Sequence, residues 1–540
     1  MERRATLAPL SNKTFRSLWV ASNISNLGGL IQTVGAGWLM TSLSHSNDMV
    51  ALVQSANTVP LMAFSLIAGA LADNFDRRQI MIWAQALMLA FSGVLAAMTW
   101  AGLLTPWLLL AFTFLIGCGG ALYNPSWQAS VGDIVPRDDV PGAVGLNSMG
   151  FNLMRSIGPA LGGAIVAAAG AAMAFFVNAV TYIALIWALF RWSPELRERR
   201  LPREPLFGAL GAGLRYMSMS PALIRVMARG ALFGVAASSV LALLPVVARD
   251  ELHGTAMTYG ILLGSFGVGA IGGVLISTRI RGRVRNEVVV SGSFLGFAVG
   301  VEALAFSPSL FLSCVALLLT GACWVLALAL FNVTVQLSTP RWVVGRAISF
   351  YQTTTFGGMA AGSWIWGVVS DGHGPVVALS LSGAMLLLGV VSGRWLGVSE
   401  FGTLDLDPLG AFTEPQLRLD LRARSGPIMV MVDYVIAQED IGAFLAAMRA
   451  RRRIRIRDGA SQWALLRDLE TPDIWTETYH VATWVDYVRH HERRTKADAD
   501  VTRQILALHR GTEPPKVHRM IERQTVPVHD DMPLKLTNIV

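Results

Sequence analysis

The chain has 540 residues, 53% of them hydrophobic and 15% charged, with a mean hydropathy of +0.49. Soluble globular chains carry about 25% charged residues, so a string of water-soluble domains is excluded, as is a disordered, collagen-like or disulfide-stapled chain. The net charge of +8 is no nucleic-acid footprint: residues 1–399 hold 24 Lys+Arg against 15 Asp+Glu, residues 400–540 hold 20 against 21, and the excess sits between apolar runs.

A bilayer-crossing helix needs about 20 mostly apolar residues. Twelve stretches qualify before position 400: 15–41, 49–72, 79–101, 106–131, 142–169, 172–191, 222–248, 256–278, 288–306, 310–337, 347–370 and 375–396. Cys118, Cys314 and Cys323 lie inside such stretches and read as buried thiols. The connections alternate in charge. Arg3, Arg4, Lys13 and Arg16 precede the first span; Arg77 and Arg78 follow the second and Arg137 the fourth. Arg191, Arg197, Arg199, Arg200, Arg203 and Arg215 follow the sixth, Arg279, Arg281, Arg283 and Arg285 the eighth, and Arg341 and Arg346 the tenth. The intervening connections carry one arginine, Arg249, beside Asp250 and Glu251. This positive-inside pattern predicts a multi-pass protein of the inner (plasma) membrane with both termini in the cytoplasm. The first span is too long for a signal-peptide core and lacks a small-residue cleavage site, so it is expected to be retained.

The predicted fold is an all-α membrane body of two six-helix, pseudo-symmetric bundles, residues 1–191 and 222–398, joined by a polar cytosolic loop over 192–221. Such a 6+6 arrangement suggests parallel repeats with a substrate site at the midplane between them. At the inner end of span 2, Gly69 precedes Asp73, Arg77 and Arg78. Asp73 lies at the end of its helix, where the macrodipole disfavours an anion, so it needs a cationic or helix-N-terminal partner: Arg77 or Arg78 nearby, or the start of span 11 near Arg346. In span 5, Gly145 is followed by Gly158, Pro159, Gly162 and Gly163. The proline bends the helix and frees a carbonyl, and the glycines allow close packing. Gly69, Asp73, Arg77, Arg78, Gly158, Pro159, Gly162 and Gly163 are therefore the candidate gating residues.

Polar residues inside spans are costly unless paired or turned to a cavity. Asn23, Asn26 and Thr33 share one face of span 1, with Gln32 facing elsewhere; Gln54, Asn57 and Ser65 align on span 2. Asn124 and Gln128 on span 4, Ser148, Asn152 and Arg155 on span 5, Asn332 and Gln336 on span 10, and Tyr351, Gln352 and Thr354 on span 11 complete the set. Singly, each amide reads as an interhelical hydrogen bond of about 0.6 kcal/mol; together, Asn23, Asn26, Gln54, Asn57, Asn124, Gln128, Asn152, Arg155, Asn332, Gln336 and Gln352 are the candidate substrate lining. Arg155, mid-span, costs about 2.5–3.5 kcal/mol to insert and should face the cavity or find a carboxylate or freed carbonyls. Glu302, toward the outer end of span 9, is the one carboxylate well inside a span.

Over residues 12–398 the sequence resembles the major facilitator superfamily. Gly69 to Arg78 resembles its loop 2–3 motif, and Gly145 to Gly163 the span 5 motif of its drug/proton antiporters. Phe15-Arg-Ser-Leu-Trp19, Ser25-Asn-Leu-Gly28, Asn124-Pro-Ser-Trp127 and Leu146-Asn-Ser-Met-Gly-Phe151 resemble the branch of enterobactin-exporter and macrolide-efflux proteins. Asn74, Asp76 and Met154 depart from the usual motif residues, and the loop after span 8 keeps Gly272 and its arginines without an Asp. The resemblance implies export of small amphipathic, drug-like or siderophore-like molecules by proton antiport, with Glu302 and Asp73 as coupling candidates and Asp48 and Asp133 at span ends. It implies no cofactor.

Residues 399–426 mix Pro, Gly and charge and read as a linker. Beyond it, Ile428–Ile436, Ala460–Leu469, Trp475–Trp484 and Val517–Thr525 read as strands and Glu439–Arg452 and Asp486–Leu508 as helices, with a turn at Asp458-Gly459. The order βαββαβ predicts a cytosolic ferredoxin-like α+β domain over 427–526, followed by a tail, 527–540. Asp458-Gly-Ala460, Trp463, Glu477 to Trp484 and His490-His491-Glu492-Arg493 resemble the dimeric α+β-barrel group that includes antibiotic-biosynthesis monooxygenases. Adjacent His490 and His491 project about 100° apart on a helix and do not chelate as an i, i+4 pair; no metal-ligand spacing or nucleophile triad is present. A homodimer through 427–526 stays open, as do a membrane-tethered enzyme and a ligand sensor with its activity there. No phosphate-binding G-x-x-x-x-G-K-[ST] occurs, which argues against ATP-driven pumping.

Overall fold

Inside a membrane every backbone N–H and C=O must be satisfied within the chain, and the apolar runs close into helices. The computed structural model describes residues 8–522 except 75, 137–138, 194–205, 281–282, 341, 401–404, 408, 410–411, 413–414 and 416. The helices are α1 (Lys13–Leu43), α2 (Asn47–Asn74), α3 (Arg77–Trp100), α4 (Pro106–Ile134), α5 (Val140–Arg191), α6 (Leu206–Ser218), α7 (Pro221–Val246), α8 (Ala256–Ile280), α9 (Asn286–Ala305), α10 (Leu310–Leu337), α11 (Val344–His373) and α12 (Pro375–Ser392). Among the described residues, eight helices are long and apolar enough to cross a membrane. The more polar α1 and α11 are not among them.

The 52-residue α5 is two helices. Gly170, at φ +80° and ψ 171°, breaks it, a backbone conformation that glycine adopts without a Cβ penalty. The two segments coincide with the separate spans expected over 142–169 and 172–191. Helix starts follow their caps. Asn12 accepts from the N–H groups of Thr14 and Phe15, Asp76 from that of Arg78, and Thr105 from that of Leu108 just after Pro106.

The chain divides into two compact units. The first comprises residues 1–204, 224–335 and 348–400. Within it α1 lies along α5, α2 along α4, α9 along α12, and α5 also along α8. Phe15, Leu18, Met81, Trp127 and Leu189 form one apolar cluster, and Met40, Val53, Leu95, Leu109 and Phe175 another. A third is aromatic: Phe233 lies 5.1–5.9 Å from Phe294, Phe297 and Trp324, and Phe266 lies 5.8 Å from Trp324. A buried amide network joins α1, α3 and α5. Gln32 Oε1 accepts from Ser92 Oγ at 2.9 Å and from Asn178 Nδ2, and Asn178 also reaches the Tyr182 hydroxyl at 3.0 Å.

The second unit comprises residues 205–223, 336–347 and 401–540. Its four-stranded antiparallel sheet, order β2-β3-β1-β4, is built from β1 (Ile428–Val435), β2 (Ser461–Arg467), β3 (Ile474–Val481) and β4 (Lys516–Ile521). Helices α13 (Ile441–Asp458), α14 (Trp484–Glu492) and α15 (Lys496–Leu508) join the strands, giving the ferredoxin-like order expected. Gly459, at φ +119°, ends α13. The single helix expected over 486–508 is two, because Thr495 and Asp498 form a capping box that starts α15 afresh.

Two further findings amend the expected plan. Part of the connection expected as a loop over 192–221 is the helix α6; Ala212, Tyr216 and Met217, at i, i+4 and i+5, are buried, a helical face hidden in the sequence by the surrounding Arg, Glu and Pro. That helix belongs to the second unit, where the Arg457 guanidinium lies 5.4 Å from the Tyr216 ring and that of Arg493 lies 4.3 Å from the Trp342 ring.

The sheet domain buries charge. Glu477, fully buried, accepts from Arg455 Nε at 3.0 Å and Trp463 Nε1 at 3.1 Å, with Arg451 at 3.5 Å. Burial alone would raise its carboxyl, but Arg455 and Arg451 outweigh burial and hold it at about 2. Burial lowers the His491 imidazole to about 3, and burial followed by the charge of Arg455 lowers that of His490 well below its ordinary value. Both rings are therefore neutral at physiological pH.

Candidate functional site

The glycines of α5 bring three helices together. A Cβ on Gly158 would stand 2.8 Å from Leu30 Cβ, and one on Gly162 3.1 Å from Ile31 Cα, both on α1. A Cβ on Gly163 would stand 2.8 Å from the Ala256 carbonyl oxygen and 2.9 Å from Gly260 Cα, on α8. Pro159 has no N–H, so the carbonyl of Arg155, four residues back, lacks its helical donor. A Cβ on Gly267 of α8 would lie 2.5 Å from that oxygen. Helices α5 and α8 therefore meet backbone to backbone from Gly163 to Arg155.

Arg155 reaches from this contact to the second-half helices. Its guanidinium lies 5.4 Å from the Phe266 ring and 6.0 Å from the Trp324 ring, and the side chain is half-buried. A desolvated cation over aromatic rings gains about 2 kcal/mol or more. Among the described residues no Asp or Glu forms an ion pair with it.

A second seam runs between α2 and α11. Ser55 Oγ donates to the Ala360 carbonyl at 2.8 Å, Thr353 Oγ1 to that of Met62 at 3.3 Å, and a Cβ on Gly367 would stand 2.7 Å from Ala51 Cβ. The two seams close the first unit at the end bearing Asn47 and Ala256. Toward the other end, among the described residues, Ser148 and Met149 on α5 are exposed, and a Cβ on Gly145 or Gly272 would meet nothing within 4 Å. Asn124 and Gln128 lie exposed on one face of α4 that also carries the open Gly120. Among the described residues the two seams thus join the halves at that end, and Arg155 lies where the α5–α8 contact stops.

Comparison with known proteins gives the family. The model of the family described as "Transmembrane secretion effector" matches residues 4–525. The chain belongs to that family. The enterobactin exporter EntS of Escherichia coli is 26% identical over 402 residues, covering 72% of this chain and 94% of that protein. EntS of Citrobacter koseri is 25% identical over 408 residues, covering 74% and 96%. Among solved structures, a point mutant of the nucleoside transporter NupG (TM-score 0.59, 11% identity, 71% of this chain and all of that one) and the POT family transporter PepTSo (0.59, 12%, 71% and 97%) share the fold. So does an inward-facing bacterial homologue of the lysosomal transporter Spinster (0.55, 14%, 71% and 94%). The chain is a secondary transporter of the major facilitator type, not an enzyme.

In this secretion-effector chain the other candidate residues fall as follows. Asn23 donates to the Trp19 carbonyl at 2.8 Å and lies against Gly150 of α5; Asn57 donates to the Val53 carbonyl at 3.2 Å. Asn26, Gln54, Asn332 and Gln352 are half-buried. Gln336 belongs to the second unit. The side chain of Asn152, and those of residues 65–74 with Gly69 and Asp73, lie outside the described residues. Arg77 pairs with Asp133 at 2.8 Å and donates to the Ala129 carbonyl, tying the start of α3 to the end of α4. Arg78 donates to the carbonyls of Leu189 and Phe190, both at 2.9 Å, a cation on the C-terminal turn of α5 where the macrodipole favours it. Glu302 accepts from Ser380 Oγ at 3.0 Å and packs against Gly383 of α12.

One charged pair escaped the sequence reading. Arg229, fully buried in α7, pairs with Glu287 at the start of α9 at 3.1 Å; Glu287 also accepts from Ser291 and the Val398 N–H. An arginine eight residues inside an apolar run is the signal that could have revealed it.

Substituting Gly163→Val forces a branched side chain into the Gly260 backbone. Overpacking of this kind costs about 1–3 kcal/mol, so the variant should melt earlier than the parent in detergent and lose transport; an unchanged melting curve with full transport would refute the tight α5–α8 contact.

Proposed function

We propose that this transporter exports small amphipathic molecules bearing an anionic or electron-rich group, of the siderophore-like or drug-like kind, from the cytoplasm by proton antiport. Arg155 carries the reading. It is a half-buried cation with aromatic faces beside it and no acidic partner among the described residues, an arrangement suited to a cargo that brings both negative charge and a planar apolar body. The polar, accessible Asn124 and Gln128 support a wetted path on the same side of the seams. The name of the EntS relatives, enterobactin exporters, supports both the direction and the cargo class.

The alternation of arginine-rich and arginine-poor connections supports cytoplasmic termini. With that orientation the end joined by the two seams faces outward. Glu302 remains the proposed coupling carboxylate, with Ser380 as its hydrogen-bond partner.

The second unit is proposed as a homodimerising module. Helices cover one face of its sheet, while Met429, Met431, Val435, Leu466 and Met520 alternate onto the other, and the last three are 36–52% exposed. The same face carries Asp433, Thr476, Thr478, His480 and His518, a mixed apolar and polar surface that a second copy of itself can match.

Arg155→Ala removes a charge-assisted contact of about 1.5–3 kcal/mol, so the half-saturating substrate concentration for export should rise about tenfold or more, with Arg155→Lys intermediate. A parallel fall in membrane abundance would assign Arg155 a structural role instead. Glu302→Gln should abolish export driven by an imposed pH gradient in vesicles; retained proton-driven export would remove Glu302 from the coupling step. Met431→Glu should convert a dimer of the purified full chain to a monomer by light scattering, and a parent that is itself monomeric would end the dimer reading.

A further inference from the structure

We propose that Asn47, Arg249, Ser370 and Asp371 form a polar latch that holds the Asn47 end of the transport path shut. This rests on the alternating-access reading above and deepens it, because none of the four belongs to the motifs or polar faces that the sequence singled out.

Asn47 is the first residue of α2, where backbone N–H groups have no intrahelical acceptor. The acceptor here comes from the other half of the chain: Asp371 Oδ1, near the end of α11, takes the Asn47 N–H at 2.9 Å. A carboxylate at a helix N-terminus is also favoured by the macrodipole, so Asp371 caps α2 across the seam. The Asn47 side chain adds two more links. Its Nδ2 donates to Ser370 Oγ at 3.2 Å and to the Ser370 carbonyl at 3.4 Å, and its Oδ1 accepts from Arg249 Nη2 at 3.3 Å.

Arg249 is the second hub. Beyond Pro245, α7 winds into one π-helical turn, Val247–Glu251, and such turns re-aim side chains and gather at functional positions. Asp250 holds the guanidinium through bonds of 2.5 and 2.8 Å. Nη1 is left to donate to the Thr41 carbonyl at 2.9 Å, in the last turn of α1, where unpaired carbonyls favour a cation. The ends of α1, α2, α7 and α11 are thus tied at one point, with Thr41 and Asn47 from the first half and Arg249, Ser370 and Asp371 from the second. Beneath it lie Gly367 against Ala51 and Ser55 against Ala360. Both hubs lose their bonds when this end parts, so the latch biases the resting protein toward the state open at the opposite end. Arg249 is also the one arginine among the otherwise arginine-poor connections, and the latch gives it a task there.

The test is distance measurement by pulsed electron resonance between spin labels at His45→Cys and His373→Cys, two exposed positions flanking the latch, with Cys118, Cys314 and Cys323 replaced by alanine. Asn47→Ala and Arg249→Ala should each lengthen the mean separation and slow export, whereas Asp371→Asn, which keeps an acceptor oxygen, should stay near the parent. Should Asn47→Ala fail to accumulate, Arg249→Gln gives the same reading. Unchanged separations in the alanine variants, with export intact, overturn the latch and leave the export reading standing. Lengthened separations in a chain that exports no tested cargo keep the latch and sink the export reading.

Discussion

The contact between the backbones of Gly163 on α5 and Gly260 on α8 sets the position of the polar groups around it. Lipid gives helices no hydrophobic reason to associate, so close approach of small residues and a few polar links must do it. With Gly163 seated on Gly260 and the freed Arg155 carbonyl pressed on Gly267, α5 is fixed in rotation as well as distance. The Arg155 side chain is thereby delivered to Phe266 and Trp324 rather than to lipid. The same helix holds α1 through Gly158 and Gly162, so one motif fixes the seam, the depth at which it ends and the cation placed there.

Buried charge in this chain is kept by multiple partners. Arg229 meets Glu287 and the Phe294 ring, at 5.1 Å, while Glu287 is further bonded by Ser291 and Val398. Glu477 in the sheet domain meets Arg455, Arg451, Trp463 and the Tyr434 hydroxyl. Removing one member of such a group leaves another uncompensated in a low-dielectric interior, at about 3–5 kcal/mol. Arg155 departs from that rule. Its described neighbours are the Phe266 and Trp324 rings, and among the described residues no acid pairs with it.

Much of this was legible in the sequence, and the residues show why. Helix positions followed from apolar run length, and Gly170 explains why two adjacent runs read as separate spans: its backbone breaks α5 into two helices. The span 5 glycines and Arg155 were legible because a proline, clustered glycines and a mid-span charge are each improbable in a plain lipid-facing helix. The element order βαββαβ followed from short apolar runs alternating with helical periodicity. Three features were not legible. α6 is hidden among charges; the second helix start at Thr495 needs the capping box to be seen; and the Asn47, Arg249 and Asp371 cluster joins residues more than 200 positions apart, which no periodicity encodes.

The amides show where sequence reading stops and geometry takes over. Gln32 and Gln128 are the same residue type, each on a long helix of the first half. Gln32 is buried, and its acceptor oxygen takes Ser92 and Asn178 within one half, so it can leave that network only by exposing orphaned polar groups, and it serves as scaffold. Gln128 stands exposed on a face shared with Asn124 and an open glycine, free to exchange water for cargo at little cost. Asn47 belongs to neither class: all its polar groups are bonded, but to helices of the opposite half. A saturated network within one half marks scaffold; an accessible polar face supports the proposed path, and saturation across the halves the proposed gate. By that criterion the conformational information in this chain resides in which partners its polar residues have, not in which residues they are.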